Sequence, residues 1–117
     1  MNVALRAAKM NEIFTVWGDG NVQKDYVFVE DFCRFLFEFI ERDVWGELIN
    51  VGSGQLYSVN EILHLVKLYY PSFSWNYVQT KKNDVSHLEL DLNKLNSYVS
   101  GGCKTLKEVF PSLLKEW

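Results

Sequence analysis

Cysteine is scarce in this sequence: 117 residues hold two, Cys33 and Cys103, seventy positions apart. A chain that is 48% hydrophobic can build its own core, so nothing calls for a disulfide framework, and two isolated thiols lack the spacing of a zinc knuckle. Both are expected to stay reduced. The two histidines, His64 and His87, have no Cys, His or carboxylate at ligand spacing, so no metal site is expected. His87 reads as solvated on a strand, His64 as solvent-facing at a helix boundary. Positive charge is short too: twelve Lys and Arg stand against fifteen Asp and Glu, a net charge of −3, and the basic residues are scattered. Nucleic acid and anionic membrane both need a basic patch, so neither is expected as a partner. No apolar run approaches the roughly 20 residues that span a bilayer. The opening Met1-Asn2-Val3-Ala4-Leu5-Arg6 lacks the basic-then-apolar order of a secretion signal, and the chain reads as cytoplasmic.

What is present is apolar and aromatic, enough for one domain over residues 1–117. Val3, Ala4, Leu5, Ala7, Ala8 and Met10 recur at helical spacing over residues 3–11. Ile13-Phe14-Thr15-Val16-Trp17 is a β-branched and aromatic run closed by Gly18-Asp19-Gly20, which predicts a strand entering a tight turn with residues 26–29 as its return strand. From Asp31, a first-turn acid or N-cap, the pattern is helical. Phe32, Cys33, Phe35, Leu36, Phe37, Phe39 and Ile40 cover most of that helix and leave a narrow polar stripe of Arg34, Glu38, Glu41 and Arg42. A surface helix of a small domain shows a wider polar face, so this one is expected to pack against more than one layer. Residues 47–51 read as a short buried strand ending in Gly52-Ser53-Gly54. Ser58-Val59-Asn60-Glu61 is a capping box that opens a helix stopped by Pro71. Residues 74–79 and 85–90 look extended, and residues 92–99 suit a short helix. Thr105-Leu106-Lys107-Glu108 is a second capping box opening a last helix, in which Pro111 predicts a kink or restart. Alternating strands and helices make the class α/β.

Little here carries chemistry by itself. The amides of Gly52-Ser53-Gly54 could face an anion, but the helix begins several residues later, and glycines that end a strand where positive φ or close packing is needed are the commoner reading. Lys24 is ambiguous in the same way: a lysine beside Asp25 is usually solvated, while its place after a tight turn admits a phosphate contact. Tyr77 and Lys81 have the Tyr-x-x-x-Lys spacing of an acid–base pair. That pair works on a helix, whereas four residues along a strand span roughly 13 Å, so the match is read as chance. No nucleophile with a base, no carboxylate pair and no dinucleotide fingerprint is present, so no residue is assigned as catalytic and no cofactor is expected on this chain.

Several landmarks nevertheless fall in a familiar order. Gly18-Asp19-Gly20, Gln23-Lys24-Asp25-Tyr26-Val27, Val29 and Asp31 resemble the Gly-Asp-Gly-x-x-x-Arg-Asp-Tyr/Phe-Val-x-Val-x-Asp signature of the extended short-chain dehydrogenase/reductases, the NAD-dependent nucleotide-sugar epimerases and dehydratases. Asn50-Val51-Gly52-Ser53-Gly54 is similar to that family's Asn-x-Gly-x-Gly, and Ser58-Val59 with Glu61-Ile62 to the helix start after it. Lys81, Asp84-Val85, Asp91 and Lys94 resemble its Arg-Pro-x-Asp…Asp-x-x-Lys region, and residues 106–117 its closing helix.

The resemblance implies the C-terminal lobe of such an enzyme, a mix of short strands and helices without the N-terminal Rossmann core that would carry NAD or NADP and the catalytic Tyr-x-x-x-Lys. It implies a nucleotide-diphosphate sugar as ligand, with Lys24 and Lys81 at positions where the family has phosphate-binding arginines. Lysine keeps the charge and loses the planar two-pronged donor, so a looser grip is expected. It also implies that the helix from Asp31 and the strand from Leu48 face the missing Rossmann domain, leaving surface that favours self-association when uncovered. Alone, the lobe is expected to be inactive. The alternative is a non-catalytic interaction module that uses the apolar helix from Asp31.

Overall fold

The computed structural model describes residues 1–79 and 89–115. Helix α1 (Asn2–Met10) forms as its apolar spacing requires and buries Ala4, Leu5, Ala7 and Ala8. It ends where Asn11 enters the left-handed region at φ 55, a conformation that asparagine tolerates better than most residues. Strand β1 (Phe14–Trp17) follows, then β2 (Gln23–Asp25) and helix α2 (Val29–Glu41). Strand β3 (Leu56–Ser58) leads into helix α3 (Val59–Tyr69), and β4 (Trp75–Val78), α4 (Asn93–Tyr98) and α5 (Leu106–Lys115) complete the order.

The strands pair differently from the sequence reading. β1 and β4 run parallel, in register from Phe14↔Trp75 to Trp17↔Val78, and no hairpin forms. β2 instead pairs antiparallel with β3, Gln23↔Ser58 to Asp25↔Leu56. Residues 26–28 leave the sheet, and Val29 already belongs to α2. The turn explains the outcome. Gly18 and Gly20 have φ of 88 and 74, and the carbonyls that a return strand would face are taken by Asn60, whose N–H donates to Gly20 O at 3.1 Å and whose Nδ2 donates to Asp19 O at 3.0 Å. A Cβ on Gly20 would lie 2.2 Å from Asn60 Oδ1, so a larger residue there would have to displace the Asn60 side chain and give up its bond to the turn.

Residues 47–51, read as a strand, join no ladder, and Leu48 is 89% exposed. The segment pairs with neither two-stranded sheet. Side chains of another region hold it: Lys94 Nζ pairs with Glu47 at 2.6 Å and donates to Leu48 O at 2.9 Å, while Asn50 Nδ2 donates to Asp91 O at 3.2 Å. Of the extended run read over residues 85–90, residues 85–88 lie outside the described residues, and Glu89 and Leu90 are not in a strand.

Both capping boxes form. Glu61 N–H donates to Ser58 Oγ at 3.2 Å while Ser58 N–H donates to the Glu61 carboxylate at 2.7 Å. Thr105 and Glu108 repeat the arrangement at 3.3 and 2.7 Å. α5 runs through Pro111 without a restart; the carbonyl left unbonded four residues earlier belongs to exposed Lys107, where water can satisfy it. The core lies where α1, α3, α5 and β1 meet, with Leu63, Val66, Phe73 and Phe110 almost wholly buried.

α2 stands to one side of that core. Phe35 is buried and Phe39 packs edge-on against Tyr98 of α4, yet Val29, Phe32, Leu36, Phe37 and Ile40 are 40–67% exposed. Their spacing puts them on one face. The polar stripe is engaged rather than solvated: Arg34 donates to Ser100 O (2.7 Å), Gly102 O (2.9 Å) and Glu38 (3.0 Å). Ser100 N–H donates to Glu38 at 2.7 Å, and Arg42 reaches Ser100 Oγ at 3.1 Å. Asp31, 5% exposed, accepts from Lys104 N–H at 2.9 Å and from Arg34 at 3.4 Å. The stripe thus clamps residues 100–104 onto the helix.

Candidate functional site

The site is built on β2 and the turns around it. Along a strand successive side chains point to opposite faces, so Lys24 and Asp25 part company although adjacent in sequence. Lys24, paired in register with Tyr57, is exposed. Its ammonium makes no hydrogen bond or ion pair among the described residues. Asp25 turns the other way, into the Gly52-Ser53-Gly54 loop. There it accepts from Ser53 N–H at 2.8 Å, Ser53 Oγ at 2.5 Å and Gly54 N–H at 2.9 Å. The glycines serve close packing and a positive φ: a Cβ on Gly52 would lie 2.7 Å from the Asp25 carboxylate, and Gly54 has φ 72. The loop's amides do meet an anion, but it is the protein's own. They offer no cradle to a dinucleotide pyrophosphate.

Beside β1 and β4 lies an open depression of about 480 Å³ lined by Gly18, Asp19, Tyr77 and Gln79. Two of its lining residues, Tyr77 and Asp19, belong to a hydrogen-bonded chain. Trp75 Nε1 donates to Tyr77 OH and Tyr77 OH donates to Asn60 Oδ1, each at 2.9 Å. Asn60 Nδ2 reaches Asn21 Oδ1 at 3.0 Å. The Asn21 backbone N–H, then its side chain, holds the Asp19 carboxyl below its usual range. Tyr77 sits on a strand with its hydroxyl committed, so it is not arranged as a catalytic acid. Lys81, the second residue expected at a phosphate, lies outside the described residues, as does His87.

His64 is exposed mid-helix in α3 rather than at its boundary, with its ring 5.3 Å from that of Trp75. Both cysteines are free; burial, then the nearby Asp31 charge, pushes the Cys103 thiol up. Among the described residues no group of three or more His, Cys, Asp or Glu converges as metal ligands, and no helix is long and apolar enough to cross a membrane. Sequence reasoning missed Asp25 and Asn60. Strand alternation at Lys24 was the available signal for Asp25; Asn60 had none, since its partners Asp19 and Asn21 are some forty positions away.

Comparison with known proteins gives this arrangement a context. The model of the NAD dependent epimerase/dehydratase family matches residues 1–52. A Methanocaldococcus jannaschii protein provisionally named as a UDP-glucose 4-epimerase is 29% identical over 89 residues, 74% of this chain and 28% of that protein. Among solved structures, UDP-glucuronic acid 4-epimerase from Bacillus cereus, in complex with UDP-glucuronic acid and NAD, superposes with a TM-score of 0.82 at 18% identity, over 97% of this chain and 38% of that one. TunA, an NAD-dependent NDP-hexosamine 5,6-dehydratase of tunicamycin biosynthesis, superposes with a TM-score of 0.83 at 21% identity, over 99% of this chain and 38% of that one. The chain thus spans under two fifths of the length of each.

Proposed function

We propose that the chain belongs to the NAD-dependent epimerase/dehydratase family, the extended short-chain dehydrogenase/reductases, with the fold of their C-terminal lobe, and that residues 1–117 are a single lobe that binds a nucleotide-diphosphate sugar. Lys24 meets the phosphates and Lys81 adds a second positive charge. The observation that carries this reading is Lys24 itself: an exposed ammonium without a partner among the described residues, on a strand held by its ladder with β3 and, on the opposite face, by Asp25 in the glycine loop. A diphosphate would supply the missing counter-charge. The resident chemistry of this lobe is binding and orientation; hydride transfer would need NAD or NADP on a nucleotide-binding domain, and alone the lobe is inactive. The uncovered face of α2 is where that domain would pack, since five large apolar side chains on one helix face are rarely left to water. Polysaccharide precursor synthesis in the cytoplasm is the process such a ligand suits.

The same face supports a second reading, a non-catalytic module that binds a partner or a second copy through α2. Titrating the purified chain calorimetrically with UDP-, GDP- and dTDP-sugars separates the two. Saturable heat with at least one of them supports the first; no binding at millimolar ligand, together with a defined dimer by sedimentation, favours the second.

A further inference from the structure

We infer that Asp25 is a positioning residue for Lys24, acting by occupying the amide nest of residues 52–54; this rests on the proposed role of Lys24 at a phosphate. β2 is three residues long and, among the described residues, bonded to a strand on one side only, so its ladder alone leaves the strand end loosely held. The carboxylate at that end takes two backbone amides and one hydroxyl from the glycine loop, bonds to an ionised acceptor that are stronger than neutral ones. Packing closes the nest further, with Leu90 and Leu92 side chains 3.2 and 3.1 Å from where a Gly52 Cβ would stand. Two consequences follow for the ligand. A lysine spends rotamer entropy to hold a phosphate, and a rigid strand beneath it removes the backbone share of that cost. Asp25 is also kept from forming an ion pair with its neighbour, because its charge is compensated on the opposite face, and Lys24 stays available. With the nest filled, a ligand phosphate is directed to Lys24 and away from the glycine loop.

Removing the carboxylate tests this. In Asp25→Ala, affinity for UDP is expected to fall about tenfold, and the amide protons of Ser53 and Gly54 to exchange faster with solvent. Sodium formate, with sodium chloride at matched ionic strength as control, supplies a carboxylate to the emptied nest and should restore both. Asp25→Asn keeps the side-chain volume and serves if the alanine variant fails to fold; its amide blocks the nest, so weakened UDP binding without formate rescue is expected. UDP affinity unchanged in both Asp25 variants while Lys24→Ala loses it would overturn the positioning role and leave the phosphate reading standing. If Lys24→Ala binds UDP like the parent chain, it is the phosphate reading that fails, and the positioning role falls with it; Ser53 and Gly54 exchange would then report only on the nest.

Discussion

Arg34→Ala should release residues 100–104 from α2, and its cost can be worked from the contacts. The guanidinium donates to the exposed carbonyls of Ser100 (2.7 Å) and Gly102 (2.9 Å), which water can take over, so each bond contributes about 0.5 kcal/mol net. Its pair with Glu38 at 3.0 Å joins residues four apart on the helix with the arginine 35% exposed, and screening holds it to about 0.3–0.5 kcal/mol. The Asp31 contact is long, 3.4 Å, but that carboxylate is nearly buried and would keep only Lys104 N–H, a loss of about 1 kcal/mol. The total is roughly 2–3 kcal/mol. In urea denaturation at fixed protein concentration the midpoint should fall accordingly with m unchanged, and each kcal/mol lowers the melting temperature by about 4–8 °C. Arg34→Lys should recover less than half, because one ammonium cannot span both carbonyls. A loss below about 0.5 kcal/mol in Arg34→Ala would refute the clamp as a stabilising device.

Acid should weaken the fold through helix caps and clamp together. Glu38 is held below its usual value by the Ser100 N–H, Glu61 by the Ser58 N–H and Glu108 by the Thr105 N–H. Folded-state pKa values below the unfolded ones mean that the unfolded chain binds more protons, so stability is full above about pH 5 and falls as pH drops below the ordinary glutamate range; urea midpoints measured from pH 7 to pH 3 should show that direction, and a flat profile would contradict it. On the uncovered face of α2, Leu36→Glu with Phe37→Lys should move the chain toward monomer in sedimentation while changing its melting stability by no more than about 0.5 kcal/mol per site. A large loss of stability would mean that these side chains are already buried in a folded unit.

What was legible in the sequence was local. The capping boxes at Ser58 and Thr105 announce α3 and α5 because both partners lie within one turn, and the apolar excess on α2 was visible as a stripe too wide for its surroundings. Pairing was not legible: Phe14 finds Trp75 across sixty positions, and no residue in the Gly18-Asp19-Gly20 turn says that Asn60 will occupy its carbonyls. Arg34 and Glu38 could be read only as a narrow polar stripe, because Ser100 and Gly102, which they clamp, sit beyond residue 99. Lys24 could be named from the resemblance, whereas its independence from Asp25 needed the strand's alternation and the position of the glycine loop.

The most direct measurement is the dissociation constant for UDP of the parent chain, Lys24→Ala and Lys24→Arg by titration calorimetry at low salt. Removing the ammonium should weaken binding about tenfold, and the arginine, with its two-pronged donor, should match or exceed the parent. Equal affinity in the parent and Lys24→Ala would contradict the assignment of the phosphates to Lys24.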